Sequence, residues 1–394
     1  MCGILGWYNF QKKPSIEILR KLSQNIYLRG PDAYGEYESE YLSLVHRRLS
    51  IIDLKERSNQ PFIDKQTGNL IIYNGEIYNF KEIKNEILSK YSDINFQTSG
   101  DTEVILLAYK LFGIDKLLEK LDGMFAFAIW DNKKKKLFLA RDKLGEKPLF
   151  YACDKNNGII FGSTFSSLSS HPEIQNRSKI NFKSLNQYFK FNYLLFEDTF
   201  FENIKSLKPA NYLEINQENK SLKIKQKQYW HLNNIIVEKQ NYKLEEAKEK
   251  FIYLLKNSIK SRVISDVNVG TYLSGGIDSS LIAYLMREMF GEKHSLHHLS
   301  FDQKNFDESE YVQYFSKQLN LKPNIYKMPS PSIVANDFAN IVEAMDQPMS
   351  DTAFLSNFYL SKYSSQISKV IVSGEGGDEL FGGYITYTAD IIKK

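Results

Sequence analysis

The chain predicts two domains of unlike class: a strand-rich first half with interspersed helices, then an α/β second half built on a parallel sheet. Three observations carry this reading. The 394 residues suffice for two or three domains at ~150 residues each. Up to about residue 216, short runs of alternating polarity sit between turn signals. After about residue 243, helical periodicity and short apolar runs take turns, which is the grammar of βαβ units.

In the first half, Leu42–His46, Leu70–Tyr73, Phe125–Trp130, Lys136–Ala140 and Ile159–Gly162 read as strands. Phe150 to Cys153 is strand-like too, which makes Cys153 a small buried apolar residue. The tract from Asp131 to Lys136 is a solvated hairpin tip rather than a polybasic patch. Helical patterns occupy Ser15–Ile26, Asn79–Lys90 and Thr102–Leu111. Residues 171–240 look irregular and polar, with a turn at Lys208-Pro209-Ala210-Asn211 and a charged stretch at Asn216–Gln228. The domain boundary is placed accordingly: a first domain over 2–216, a linker over 217–242 and a second domain over 243–394.

The second half opens with a helix over Leu244–Ile264 and a strand at Val267–Leu273. There follow a helix from Ser280, a strand at Ser295–Phe301, a helix over Asp307–Leu319 and a strand at Asn324–Lys327. Helical stretches at Ser332–Met345 and Thr352–Tyr363 and a strand at Lys369–Ser373 complete it, with no internal repeat. A parallel sheet of this kind binds ligands at the C-terminal ends of its strands.

Composition narrows the function classes. A net charge of +4 is too small to make nucleic acid the default partner. No stretch reaches ~18 uninterrupted apolar residues, so no membrane span is expected. The start, MCGILGWYNF, lacks the basic region and long apolar run of a signal peptide, and a cytoplasmic protein is expected. Two cysteines, Cys2 and Cys153, exclude a disulfide scaffold or a Cys-rich metal site. The histidines His294, His297 and His298 cluster without a completing ligand spacing and are read as surface residues. Only nine of the 51 basic residues are Arg, so each Arg is informative.

The sharpest local signal is Leu273-Ser274-Gly275-Gly276-Ile277-Asp278-Ser279-Ser280, between a strand and a helix. Two glycines let the backbone approach an anion, and hydroxyls and amides at the helix start supply donors. It is not the Walker pattern, since no Gly-Lys-Ser/Thr is present. A second loop, Ser373-Gly374-Glu375-Gly376-Gly377-Asp378-Glu379, also follows a buried strand. Asp278 and Asp378 would offer hard oxygen ligands for Mg²⁺ beside phosphates. The first loop resembles the SGGxDS pyrophosphate loop of N-type ATP pyrophosphatases, which cleave ATP between the α and β phosphates.

In the first half, Cys2 follows the initiator Met. Removal of Met1 would expose an α-amine of pKa ~7.7–8.0 that can take the thiol proton. With Cys2-Gly3-Ile4 come Arg29-Gly30-Pro31-Asp32, His46-Arg47-Arg48-Leu49-Ser50-Ile51-Ile52-Asp53, Asn74-Gly75-Glu76-Ile77-Tyr78-Asn79 and Ser99-Gly100-Asp101-Thr102-Glu103. Phe125-Ala126-Phe127-Ala128 and Arg141-Asp142-Lys143-Leu144-Gly145 extend the set. Together these resemble the class II, N-terminal-nucleophile glutamine amidotransferases. The resemblance implies that Cys2 is the nucleophile, with the Asn74 side chain and the Gly75 amide as oxyanion hole. It further implies that Arg48 grips the glutamine carboxylate, with Glu76 and Asp101 on its amino group. Glutamine is a zwitterion and a guanidinium is the bidentate carboxylate partner, so the residue types suit those roles.

An amidotransferase half joined to an SGGxDS half is similar to the glutamine-dependent asparagine synthetase family over about residues 2–216 and 243–390. The resemblance implies an α+β N-terminal-nucleophile hydrolase fold of layered antiparallel sheets. An α/β parallel-sheet ATP-pyrophosphatase domain, akin to the adenine nucleotide α hydrolases, follows it and ends early. It implies adenylation of the aspartate β-carboxylate by ATP and Mg²⁺, then displacement of AMP by ammonia channelled from glutamine. By position, Ser274, Gly275, Gly276, Asp278, Ser279 and Ser280 would hold pyrophosphate. Leu273, Phe301, Ser373 and Gly374 would border the nucleotide, with Glu375 near the acyl-adenylate and Asp278 and Asp378 on the metal.

The family's synthetase domain continues beyond the acidic Gly loop, so a fragment, a split gene product, a homodimer or a partner chain supplying the remainder is expected. On that footing residues 1–394 would hydrolyse glutamine without making asparagine. Two other readings stand beside it: amidation of a different carboxylate, on a surface-polysaccharide sugar or secondary metabolite, and a non-catalytic subunit. The SGGIDSS loop disfavours the sugar-phosphate and ribosyl amidotransferases, which share only the first half.

Overall fold

The computed structural model describes residues 1–195, 197–235 and 241–387. Part of the expected linker, 236–240, and the last seven residues, 388–394, lie outside the described residues. The chain divides into two compact units, Met1–Gln240 with Met345–Ser350, and Asn241–Ala344 with Asp351–Lys394.

The first unit is a pair of six-stranded sheets, all of whose pairings are antiparallel. One runs Lys205–Ser206, Phe150–Cys153, Ile159–Gly162, Gly3–Tyr8, Leu42–Arg48, Ala33–Glu38 in spatial order. The other runs Ser221–Gln228, Asn211–Glu218, Lys136–Arg141, Gly123–Asp131, Leu70–Ile77, Phe62–Ile63. Strand alternation turns Ile4, Leu42 and Leu44 of the first toward Leu70, Ile72, Ala126 and Leu139 of the second, forming one continuous core. The opposite faces are also covered. Leu5, Trp7 and Val45 pack with Ile16 and Leu19 of the helix Ile16–Leu22 and with Phe165 and Leu168. The helix Asp101–Lys120 lies on the strand Leu70–Ile77 and against the helix Phe80–Lys90.

The second unit carries a four-stranded parallel sheet in the order Pro323–Lys327, Ser295–Ser300, Val269–Tyr272, Val370–Val372. Numbered by chain position the order is 3-2-1-4, so the direction of winding reverses between Val269–Tyr272 and Val370–Val372. That reversal opens a crevice at the strand ends, where α/β sheets take their ligands. Leu273, Ala283, Leu296, Val312 and Leu319 form a core beneath the helices Ile277–Phe290 and Ser309–Gln318. Ile259 of the helix Leu244–Arg262 joins Ile282, Leu285 and Met286 in a second cluster.

Layered antiparallel sheets followed by a parallel sheet are thus the architecture expected from sequence. Four local expectations are corrected. The polar tract at 217–228 is not a linker over its length, because Ser221–Gln228 pairs with Asn211–Glu218 along eight residues. Residues 171–240 are not irregular throughout, holding also the helix Phe182–Phe191. Cys153 is exposed, because alternation along Phe150–Cys153 turns Phe150 and Ala152 inward and Cys153 out. His294, His297 and His298 are buried rather than on the surface. Hydroxyl groups satisfy His297 there: Nδ1 meets Tyr326 at 3.0 Å and Nε2 meets Ser295 at 2.8 Å.

Candidate functional site

Cys2 stands immediately before the strand Gly3–Tyr8, whose antiparallel neighbour ends at Arg48. The pairing of Gly3 with Arg47 therefore brings Cys2 beside Leu49, whose N–H points at Sγ from 3.4 Å. Arg29 donates from Nε to the Cys2 carbonyl at 3.1 Å and fixes the residue's backbone. Burial pushes the Cys2 thiol up from its ordinary value, so a nearby base is needed to make it a nucleophile. Burial also pulls the Met1 α-amine down to about 5, and the cations of Arg29 and Lys147 act in the same sense.

One pocket collects Cys2, Arg48, Asn74, Gly75, Glu76 and Asp101, all six residues expected there from sequence. Asn74, Gly75 and Glu76 lie on the strand Leu70–Ile77, beyond the reach of the two-residue edge strand Phe62–Ile63. N–H groups two residues apart point to the same edge of a strand. Tyr73 N–H is taken by Gln60 Oε1 at 2.6 Å and Ile77 N–H by Asp101 Oδ2 at 3.0 Å. Gly75 lies midway and aims its N–H to that same side. A Cβ on Gly75 would come within 2.2 Å of the Met124 carbonyl, so glycine is required. The Asn74 side chain is fully buried, and among the described residues neither its Nδ2 nor its Oδ1 has a hydrogen-bond partner. An orphaned buried amide beside a thiol is a fixed donor awaiting an acceptor.

Asp101 opens the helix Asp101–Lys120 and accepts from the Tyr73 hydroxyl at 2.8 Å as well as from Ile77. Burial raises its pKa. Arg48 lines the pocket, yet its terminal nitrogens serve the chain itself. Nη1 donates to the Lys55 carbonyl at 3.0 Å and Asn59 Oδ1 at 2.9 Å; Nη2 donates to the carbonyls of Ile52 at 3.1 Å and Asp53 at 2.5 Å. All four N–H bonds of those nitrogens are thereby directed at the loop after the strand. A bidentate grip on a ligand carboxylate requires some of them to be released.

The second unit gathers a separate trough at the sheet's winding reversal. Leu273, Ser274, Gly276, Asp278 and Ser279 of one loop face Ser373, Gly374, Glu375 and Asp378 of the other, with Phe301 also on the wall. The loops touch: a Cβ on Gly374 would stand 2.9 Å from Asp278 Cβ. Two expected residues are not brought to the trough wall. Ser280 is buried, its hydroxyl on the Gly276 carbonyl at 2.8 Å and the Tyr311 hydroxyl at 3.0 Å. Gly275 directs its N–H to Glu308 Oε2 at 2.9 Å. Two other loop donors are likewise engaged: Gly276 N–H on Ser274 Oγ at 3.2 Å and Ser274 N–H on Ser279 Oγ at 3.1 Å. Asp278 and Asp378 share the trough as two carboxylates, a donor set that fits Mg²⁺, which binds one or two carboxylates plus substrate oxygens.

Gln60, Tyr73 and Lys147 in the first pocket, and Phe306 and Glu308 in the trough, were not singled out from sequence, and His298, also in the trough, was read as a surface residue. Lys147 stands two residues beyond the Arg141–Gly145 motif, and Glu308 is the second residue of the helix expected over Asp307–Leu319; proximity to those signals was the available clue. Gln60 and Tyr73 carry no such mark, because their roles depend on which strand edge stays open.

Comparison with known proteins assigns residues 1–230 to a glutamine amidotransferase domain family and 250–394 to an asparagine synthase family. The glutamine-hydrolysing asparagine synthetase 1 of Bacillus subtilis is 34% identical over 98% of this chain and 59% of the relative. A provisionally named counterpart in Methanocaldococcus jannaschii is 31% identical over 100% of this chain and 78% of its own length. The B. subtilis asparagine synthetase 2 is 34% identical over 98% of this chain and 52% of the relative. This chain therefore spans little more than half the length of the two B. subtilis relatives.

Proposed function

The chain belongs to the glutamine-hydrolysing asparagine synthetase family, and on that premise we propose that it transfers the amide nitrogen of glutamine to aspartate at the expense of ATP. The observation that most supports the reading is the pairing of a buried, unpartnered Asn74 amide with the Cys2 thiol in one pocket.

With Met1 removed, the Cys2 α-amine takes the thiol proton and Sγ attacks the amide carbon of glutamine. The carbonyl oxygen becomes an oxyanion that accepts from Asn74 Nδ2–H and Gly75 N–H. Collapse returns the proton to the leaving nitrogen as ammonia, and water then cleaves the thioester to glutamate. Glu76 and Asp101 supply negative charge for the substrate ammonium, and Arg48 supplies positive charge for its carboxylate. In the trough, the aspartate β-carboxylate attacks the α-phosphorus of ATP, releasing pyrophosphate. Ammonia then displaces AMP from the acyl-adenylate. Asp278 and Asp378 would hold Mg²⁺, which neutralises phosphate charge when bound. The loop from Ser274 to Ser280 binds and orients the pyrophosphate end, beside Leu273, Phe301, Ser373 and Gly374. Glu375, which lines the same trough, acts near the acyl-adenylate.

Amino-acid and nucleotide analysis of one reaction containing glutamine, aspartate and Mg·ATP tests the reading. Glutamate, asparagine and AMP in equal amounts would support the proposal and overturn the expectation from sequence that residues 1–394 hydrolyse glutamine without making asparagine. Cys2→Ala should abolish glutamate formation while leaving asparagine synthesis from added ammonium salts. Glutamate without asparagine would sink the assignment of the second unit alone. Active protein that retains Met1 by intact mass would sink the N-terminal-nucleophile mechanism.

A further inference from the structure

The Arg141–Gly145 motif has no part in the chemistry above, yet it is among the most heavily bonded segments of the first unit. The Asp142 carboxylate, fully buried, accepts from the N–H groups of Phe125, Leu144, Glu146 and Lys147 at 3.2, 3.1, 2.9 and 2.9 Å. Arg141 donates to the carbonyls of Lys147, Leu207 and Gly145 at 2.8, 2.6 and 2.7 Å, and to Ser206 Oγ at 3.0 Å. Both side chains thus grip the backbone of Lys147, one at its N–H and one at its carbonyl.

What this framework holds is a lysine only 6% exposed, on the wall of the pocket that contains Cys2. No hydrogen bond or ion pair reaches its ammonium among the described residues. A buried cation with no partner is destabilising, and a fold keeps one where the charge has a use. The nearby anions are committed elsewhere. Asp142 is saturated by backbone, Asp101 is bonded to Tyr73 and Ile77, Asp32 accepts from Ser50 N–H at 2.8 Å, and Glu146 is exposed. Burial pulls the Lys147 ammonium below its ordinary value, and Glu76, which shares the pocket, acts in the opposite sense. The other cations are Arg48, tied to its own loop, and Arg29, which holds the Cys2 carbonyl and leaves Nη2 buried without a partner.

We propose that Lys147 is a positioning residue of the glutamine site, whose fixed positive charge keeps the N-terminal amine beside Cys2 in its neutral, proton-accepting form. The inference rests on the N-terminal-nucleophile reading. A neighbouring cation disfavours an ammonium and favours a thiolate, so both halves of the amine–thiol pair move toward their reactive states. Arg29, bonded to the Cys2 carbonyl, is a second cation near that amine; Lys147 is the contribution that a single substitution can remove without touching the Cys2 backbone.

The test is the pH profile of kcat/KM for glutamine hydrolysis in the full chain, for Lys147→Met and Lys147→Arg. Losing the cation raises the amine's pKa, so the acid limb of Lys147→Met should move up by ~0.5 pH unit or more. Lys147→Arg should restore its position. An unmoved limb, or an equal loss at every pH, would overturn the proposal by reducing Lys147 to a structural role. Should Lys147→Met hydrolyse too slowly to profile, alkylation of Cys2 by iodoacetamide against pH reads the same charge. Its midpoint should rise in Lys147→Met, and a midpoint equal to that of the unsubstituted chain would overturn the proposal. Absence of hydrolysis by the unsubstituted chain would count against the N-terminal-nucleophile reading instead.

Discussion

The pocket around Cys2 and the trough between the two Gly-rich loops use the same tool, a backbone N–H at a glycine, in opposite states. In the pocket, the Gly75 N–H sits between two neighbours whose bonds are filled, and the adjacent Asn74 amide has no partner among the described residues. In the trough, the Gly275 N–H carries the Glu308 carboxylate, and the neighbouring donors are taken by serine hydroxyls. The surroundings differ to match. Two clusters of the first unit hold seventeen and thirteen buried apolar residues, and two of the second hold five and four. A dense core can hold an unsatisfied donor rigid and away from water, where it is most effective on a developing charge. A thinner unit with an open trough cannot, and its loop closes on itself.

Three substitutions probe that contrast, beginning with the largest effect. Asn74→Ala should reduce kcat for glutamine hydrolysis by ~10²–10³ with little change in KM, since it removes a donor used in the transition state. Steady-state glutaminase assays decide it, and a fall in KM-limited rate alone would show that Asn74 only binds substrate. Next, Arg48→Lys should raise KM for glutamine by ~10-fold, for a loss of ~1.5 kcal/mol of charge-assisted bonding. Because Arg48 also ties down the carbonyls of Ile52, Asp53 and Lys55, limited proteolysis should show faster cutting in residues 50–59. An unchanged KM together with faster cutting would assign Arg48 to the loop alone. The smallest effect is expected from Glu308→Gln, which removes an anion from the Gly275 N–H. Calorimetry with Mg·pyrophosphate should show ~3-fold tighter binding, roughly 0.6 kcal/mol; weaker binding would mean that Glu308 assists the ligand.

The motifs were more legible in the sequence than the segments that hold them. Cys2, Arg48, Asn74, Gly75, Glu76 and Asp101 meet in one pocket, as their residue types and order suggested, because Cys2 precedes one strand, Arg48 ends its neighbour, Asn74 to Glu76 lie near the end of a third and Asp101 starts a helix. The strand order 3-2-1-4 likewise brings two loops far apart in sequence to one crevice. What stayed hidden depends on partners distant along the chain. The strand Ser221–Gln228 looked like a charged linker because six of its eight residues are polar, and only pairing with Asn211–Glu218 reveals Leu222 and Ile224 as its inward positions. The buried histidines misled for a related reason. Imidazole is tolerated inside a parallel sheet where hydroxyls come from Tyr326, Ser295 and Ser368, three residues on different elements or strand ends. Arg48 shows the limit at the site itself, since residue type foretold its pocket but not the four acceptors on its own loop.

The strand Ser221–Gln228 is the outermost of its sheet, and an outermost strand offers a template on which a foreign chain can polymerise. Lys223, Lys225 and Lys227 punctuate that border at every second position. A second copy laid alongside in register would stack like charges directly across from one another, which is unfavourable. The border is thereby guarded against amyloid-like growth, and a self-association of this protein would have to be sought on another surface.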